Sequence, residues 1–259
     1  MSKEQLSVIK IGGAVIEDPE KKAAFIEGFL AVEGKKILIH GGGRVATEIG
    51  NKLGIKANMV DGRRVTDDDT IDLVTMVYGG LVNKQMVAEL QGKNANAIGL
   101  TGADASIITS VKRPVRDGVD YGWVGDPVKV NDAFLADILT AGAVPVVAPL
   151  THDGKGHIFN TNADTMAGTV ALAMAERYDV NLMLTFELEG VMKDVDDPDS
   201  LITEFKEPFF KEMKASGAIH SGMIPKLENS FEALHNGVKT VRICKYDQIH
   251  TTNGSFLQI

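Results

Sequence analysis

Hydrophobic positions along this chain gather in short runs separated by polar, periodic stretches. Residues 7–11, 37–40, 57–60, 97–100, 107–111, 144–148, 182–186 and 240–244 are such runs, and each predicts a strand. Several are apolar without alternation, which suits central strands covered on both faces. Between them, Val45, Ile49 and Leu53 recur at helical spacing, as do Leu227, Phe231, Leu234 and Val238. Strand–helix alternation predicts an α/β fold with an open, mainly parallel sheet and helices on both sides. A long helix is expected from 66 to about 90, opened by a capping box at Thr66-Asp67-Asp68-Asp69. Gly79-Gly80 interrupts it, and each glycine there costs roughly 1 kcal/mol. Close backbone packing would offset that cost, so this helix is a candidate subunit contact.

Composition narrows the classes of function. The 259 residues are 44% hydrophobic, enough for one large α/β domain or two lobes. A net charge of −8 argues against broad nucleic-acid binding, which needs a basic surface. It leaves room for a small anionic ligand held by local cations. Cys244 is the single cysteine and lies in an apolar run, so no intrachain disulfide forms and a buried structural thiol is expected. No CxxC or Cys/His cluster suggests zinc. No apolar run approaches the ~20 residues of a membrane span, and the N-terminus lacks a signal-peptide core, so a cytoplasmic protein is expected. The acidic stretch 194–200 reads as a solvated loop.

Two strand runs end in glycines. Lys10 precedes Gly12-Gly13, and His40 precedes Gly41-Gly42-Gly43. Bare N–H groups at the carboxyl edge of an open sheet make an anion site. Gly41-x-Gly43-x-x-Ala46, with Asp61 about 20 residues on, also fits a dinucleotide fingerprint. Against it, an equally Gly-rich strand end comes first, and Gly62-Arg63-Arg64 looks more like an anion clamp than a ribose acceptor. No Walker A sequence occurs. Further along, Asn160, Asn162 and Asp164 precede an apolar helix over 166–175, which reads as a cap with turn residues or as part of a site. Pro225 suits a first helical turn, placing Lys226 at a helix N-terminus, either solvated or facing an anion.

These pieces, in this order, resemble the amino-acid kinase family, and most closely its N-acylglutamate branch in arginine biosynthesis. The matching stretches are Lys10-Ile11-Gly12-Gly13, His40-Gly41-Gly42-Gly43, Gly62-Arg63-Arg64-Val65-Thr66, Asn160-Thr161-Asn162-Ala163-Asp164 and Gly222-Met223-Ile224-Pro225-Lys226. The resemblance runs from Val8 to about Ile243. It implies a three-layer αβα sandwich around a mainly parallel sheet, the carbamate kinase-like fold. A lobe over 1–175 would bind the acylglutamate and a lobe over 176–259 would bind ATP.

The activity implied is ATP-dependent phosphorylation of the γ-carboxylate of an N-acyl-L-glutamate, with the acyl group open between acetyl and succinyl. A carboxylate of reference pKa about 4.3 is already an ionised nucleophile at pH 7, so no general base is needed. Catalysis then consists mostly of positioning and charge stabilisation. By the resemblance, Lys10 stabilises the transferring phosphoryl group, Lys226 the leaving side of the nucleotide, and Asp164 holds both ammonium groups. Gly12, Gly13, Gly42 and Gly43 offer backbone N–H groups, while Arg64, helped by Asn160, clamps the α-carboxylate. Thr185 and Glu187 fall in the nucleotide segment, where Glu187 replaces the Asp that the family commonly carries. The cofactor implied is ATP with Mg2+, the metal held mainly by the nucleotide. The short stretch before the first strand favours an arginine-insensitive homodimer. Rival readings are a family member acting on carbamate, aspartate, glutamate or UMP, a non-catalytic nucleotide binder, and a dinucleotide-binding module.

Overall fold

The first apolar run forms β1, Gln5–Ile11, in which every residue after Gln5 is buried. Such a strand can be covered on both faces, which is why its sequence does not alternate. The computed structural model that describes it covers residues 3–60, 62–194, 196–217, 219 and 223–259. Asp61 of the dinucleotide pattern, Val195 of the acidic loop, and His220, Ser221 and Gly222 before Lys226 lie outside the described residues. After β1 come α1 (Gly13–Glu17) and α2 (Pro19–Ala31). Asp18 opens α2 by accepting from the N–H groups of Glu20 and Lys21.

The chain continues through β2 (Lys35–His40), α3 (Gly43–Leu53) and a hairpin of β3 (Asn58–Val60) and β4 (Arg63–Val65). Then follow α4 (Asp68–Val74), a π-helical segment (Thr75–Val82), α5 (Asn83–Gln91), β5 (Ala97–Leu100), β6 (Ile108–Lys112) and β7 (Gly125–Val130). Next are α6 (Asp132–Thr140), β8 (Val144–Val147), β9 (Leu150–His152), β10 (Ile158–Asn160) and α7 (Ala163–Met174). The last stretch holds β11 (Asp179–Phe186), β12 (Glu204–Lys206), α8 (Glu207–Ser216), α9 (Ile224–His235), β13 (Thr240–Lys245) and β14 (Ser255–Gln258).

These elements pack as two compact units, Met1–Ile37 with Ala167–Ile259, and Leu38–Met166. In the first, β11 runs parallel to both β1 and β13, β13 pairs antiparallel with β14, and β14 runs parallel to β12. Its core gathers Phe205, Phe210 and Phe231 into one aromatic cluster. Packing thus groups the N-terminal residues with the C-terminal segment. The reason is the β1–β11 ladder, which sets Gln5 opposite Asp179 and Lys10 opposite Leu184.

In the second unit, β8 lies between β2 and β5, parallel to each. The mainly parallel α/β sheet expected from the apolar runs is therefore found. Two of the runs go elsewhere. Residues 57–60 enter the β3–β4 hairpin, and 107–111 enter a second sheet with the order β10-β9-β6-β7. The expected apolar row of α3 also differs: Ala46 and Gly50 are its buried residues, while Leu53 is 59% exposed. A Cβ on Gly50 would stand 2.7 Å from the Ile55 carbonyl oxygen, so small side chains form this face.

The long helix after residue 66 is present but altered. Asp67, not Thr66, caps it by accepting from the Thr70 N–H at 2.9 Å. Thr66 is engaged elsewhere, its N–H and carbonyl taken by the backbone at Tyr121 and Trp123. The glycine pair sits in the π-helical segment, where a Cβ on Gly79 would meet Leu150 at 3.3 Å and Thr101 at 3.5 Å. A Cβ on Gly80 would meet nothing within 4 Å. Gly79 is therefore required by packing inside its own unit. Gly79→Leu should lower stability by about 1–3 kcal/mol through overpacking. Gly80→Ala should be neutral or stabilising, by up to about 1 kcal/mol. Thermal melts of the two variants test this, and equal losses would contradict it.

Candidate functional site

In the Leu38–Met166 unit, β2 ends at His40 and the chain crosses Gly41-Gly42 before entering α3 at Gly43. Glycine is needed at position 42 because a Cβ there would lie 2.9 Å from the Tyr78 ring. His40, fully buried, fixes the start of this turn. Its Nδ1 lies 2.7 Å from the Gly41 carbonyl oxygen and its Nε2 lies 3.1 Å from the Asn83 amide nitrogen. A carbonyl only accepts, so Nδ1 carries the proton and Nε2 accepts from Asn83. Asn83 in turn donates to the Val146 carbonyl on β8.

Arg64 comes from β4 and is only 8% exposed. One of its terminal nitrogens donates to the Gly43 carbonyl and to the Thr47 hydroxyl, each at 2.8 Å. Burial raises the pKa of the Tyr78 phenol, and the neighbouring Arg64 guanidinium opposes that rise. Asn160 ends β10, its backbone N–H donating to Trp123 and its side-chain amide donating to the Thr66 hydroxyl at 3.1 Å. The cap expected near here is Asn162, which accepts from the Thr165 N–H at 3.0 Å. Asp164 is in the first turn of α7. Gly41, Gly42, Gly43, Arg64 and Asn160 line one cavity of about 550 Å³, within the usual range for small-molecule sites.

In the other unit, the ends of β1 and β11 lie side by side. The Thr185 hydroxyl donates to the Lys10 carbonyl at 2.9 Å. A Cβ on Gly12 would approach the Thr185 carbonyl oxygen to 3.2 Å. Lys10 is 8% exposed, and Gly13 is the first residue of α1. The structure thus brings Lys10, Gly12, Gly13 and Thr185 to one strand edge. Glu187, just beyond β11, is ion-paired with Lys21 of α2. Lys226 projects from the first turn of α9, directly after Pro225. Sequence reasoning passed over Thr47, Tyr78 and Arg113. Thr47 was findable, one helical turn past Gly43, but nothing local points Tyr78 or Arg113 toward the cavity.

The amino acid kinase family model matches residues 5–245. The chain belongs to the amino acid kinase family. An acetylglutamate kinase of Phocaeicola vulgatus is 54% identical over 256 residues, covering 99% of each chain. One of Cytophaga hutchinsonii is 52% identical over 246 residues, covering 95% of this chain and 93% of the other. The crystal structure of smu.665 from Streptococcus mutans UA159 shares the fold, with a TM-score of 0.79 at 24% identity and 98% of each chain covered.

In this amino acid kinase the buried imidazole carries a pH signature. Burial pushes the His40 pKa from the usual 6.5 down to about 4, with Lys84 adding to the shift and the Gly41 hydrogen bond opposing it. Above pH 6.5 the residue is neutral folded or unfolded and contributes no pH dependence. As pH falls from 6.5 toward 4, the unfolded chain takes up a proton that the folded chain refuses, so stability drops. The loss is on the order of 3 kcal/mol by pH 4 and flat below. His40→Gln should flatten the stability–pH curve across this window in urea denaturation. An unchanged slope would mean that other groups carry it.

Proposed function

We propose that this chain is an acetylglutamate kinase, transferring the γ-phosphoryl group of ATP to the γ-carboxylate of N-acetyl-L-glutamate in arginine biosynthesis. The observation that carries this reading is the buried, tethered Arg64 beside Gly41–Gly43 in a cavity of about 550 Å³. A planar guanidinium held by Gly43 and Thr47 is preorganised for a carboxylate. Relatives over 50% identical across nearly the whole chain, each named acetylglutamate kinase, support the same assignment.

Arg64, helped by Asn160, binds the α-carboxylate, and the N–H groups of Gly42 and Gly43 face the γ-carboxylate. Lys10, with Gly12 and Gly13, stabilises the transferring phosphoryl group. Lys226 takes the leaving side, and Asp164 orients the lysines. Thr185 and Glu187 border the nucleotide. The γ-carboxylate oxygen attacks the γ-phosphorus as the bond to the β–γ bridging oxygen breaks, giving an acyl phosphate and ADP. Mg2+ enters with ATP, held mainly by its phosphates, in keeping with a donor set here of lysines and backbone N–H groups. The binding lobes, acylglutamate over 1–175 and ATP over 176–259, follow the same assignment.

Lys10→Ala should cut kcat by several orders of magnitude in an ADP-release assay while leaving the fold intact. Lys10→Arg should fail too, since a planar fork does not replace a compact ammonium. Retention of more than about a tenth of turnover in the alanine variant would remove Lys10 from the mechanism. Arg64→Ala should raise KM for the acylglutamate far more than KM for ATP. A selective loss of ATP affinity would move Arg64 to the nucleotide side. Binding of ATP without any ADP release from N-acylglutamates would favour the non-catalytic reading.

The proposed assembly is a cytoplasmic homodimer. Met76, 58% exposed, and Leu81, 40% exposed, flank the open Gly80 on the π-helical segment and supply an apolar contact. Among the described residues, no helix is long and apolar enough to cross a membrane. Light scattering at micromolar protein should give twice the 27.8 kDa chain mass. A monomer or hexamer would contradict it.

A further inference from the structure

The helix that follows residue 66 fits an extra residue into one of its turns. Leu73 and Val74 are buried, then Val77 and Tyr78, then Val82 and Asn83. The first step between these pairs is four residues and the second is five. In an α-helix five residues turn the chain about 140° beyond a full turn, which would carry Asn83 away from Tyr78. The π winding of Thr75–Val82 absorbs the extra residue, and the Asn83 N–H reaches back five positions to the Tyr78 carbonyl. Gly80 takes the outer side of this turn, where a Cβ would meet nothing within 4 Å.

Tyr78, Val82 and Asn83 thereby face the same stretch, the glycine turn after β2. A Cβ on Gly42 would lie 2.9 Å from the Tyr78 ring and 3.6 Å from the Val82 side chain. Asn83, 1% exposed, donates its amide to His40 Nε2 at 3.1 Å and to the Val146 carbonyl at 2.9 Å. Two acceptors on one side fix which way the amide points, and an accepting Nε2 leaves the proton on Nδ1 for the Gly41 carbonyl. Among the described residues the Asn83 Oδ1 has no hydrogen-bond partner, and Gly99 clears the space beside it. A leucine of similar volume would avoid that cost, so the amide is there for its two donors. We propose that the π-helical turn makes Tyr78 and Asn83 positioning residues for the phosphoryl transfer: Tyr78 braces Gly42 with its ring, and Asn83 holds Gly41 through His40. The inference rests on the acetylglutamate kinase reading, in which the Gly42 and Gly43 N–H groups face the γ-carboxylate. A displaced turn misaligns the attacking oxygen and leaves nucleotide binding intact, so the loss falls on kcat.

The test is ADP release from ATP and N-acetyl-L-glutamate by the full chain and three variants, with thermal melts to check folding and heteronuclear NMR of the histidine rings at neutral pH. Asn83→Leu keeps the volume and loses both donors. It should lower kcat about 10- to 100-fold and leave KM for ATP within about threefold. Tyr78→Ala should do the same, whereas Tyr78→Phe, which keeps the ring, should hold kcat within about threefold of the unaltered protein. The His40 signals should show a protonated Nδ1 and a bare Nε2, and the Nε2 resonance should move downfield in Asn83→Leu as its hydrogen bond is lost. If Asn83→Leu does not fold, the His40 tautomer and the two Tyr78 variants decide. A His40 protonated on Nε2, a Tyr78→Phe as impaired as Tyr78→Ala, or full kcat in a folded Asn83→Leu or Tyr78→Ala would overturn the proposal and leave the kinase reading standing. So would an equal rise in KM for ATP. No turnover by the unaltered protein would overturn both.

Discussion

The Arg64 guanidinium, buried and tied to the Gly43 carbonyl and the Thr47 hydroxyl, is the interaction on which the cavity beside the glycine turn depends. A cation brought out of water must be hydrogen-bonded or it destabilises the fold. Here its partners belong to the glycine turn and the first turn of α3. The same bonds that satisfy Arg64 therefore position the turn whose N–H groups would meet the substrate. Tyr78 closes the arrangement, its ring packed where a side chain on residue 42 would stand. Beneath it, the neutral His40 links the turn to α5 and β8 through Asn83.

The strand edge of the other unit follows a different logic. Lys10 is buried near the end of β1, with its carbonyl bonded by Thr185 on the adjacent parallel strand. Parallel strands bring their carboxyl ends to one edge, so a lysine near the end of β1 and a threonine near the end of β11 become neighbours across 175 positions of sequence. Glu187 lies at the same edge but is held by Lys21, an acid–base pair within one unit. One unit thus carries a tethered guanidinium beside its glycine turn, and the other a strand-edge lysine followed by glycines.

Much of this was readable from residue order. The unbroken apolar runs announced buried parallel strands, because a strand covered on both faces has no polar side to display. Lys10-x-Gly12-Gly13, the glycines after His40 and Arg64-Val65-Thr66 stood out because such residues have few structural reasons to recur beside strand ends. What local pattern could not supply was the use of a residue by something far away. Thr66 read as a helix cap, yet its backbone is taken by residues 121–123, leaving the cap to Asp67. Val45, Ile49 and Leu53 formed the obvious apolar row of α3, yet Ala46 and Gly50 are buried because the chain after the helix folds back onto Gly50.

The sequence by itself determined the class of fold, the strand ends that carry chemistry and the residues suited to holding anions. Those properties live in short windows, where hydrophobic period, glycine content and cap chemistry act over a few positions. Tertiary structure alone decided which strands share a sheet, which glycine of the 79–80 pair is packed, and which cations face one cavity. Arg113 lines the cavity only because β6 and β7 pair and place it against Asp126. Charge balance is a property of a volume, and a volume is assembled from residues that the chain keeps far apart until it folds.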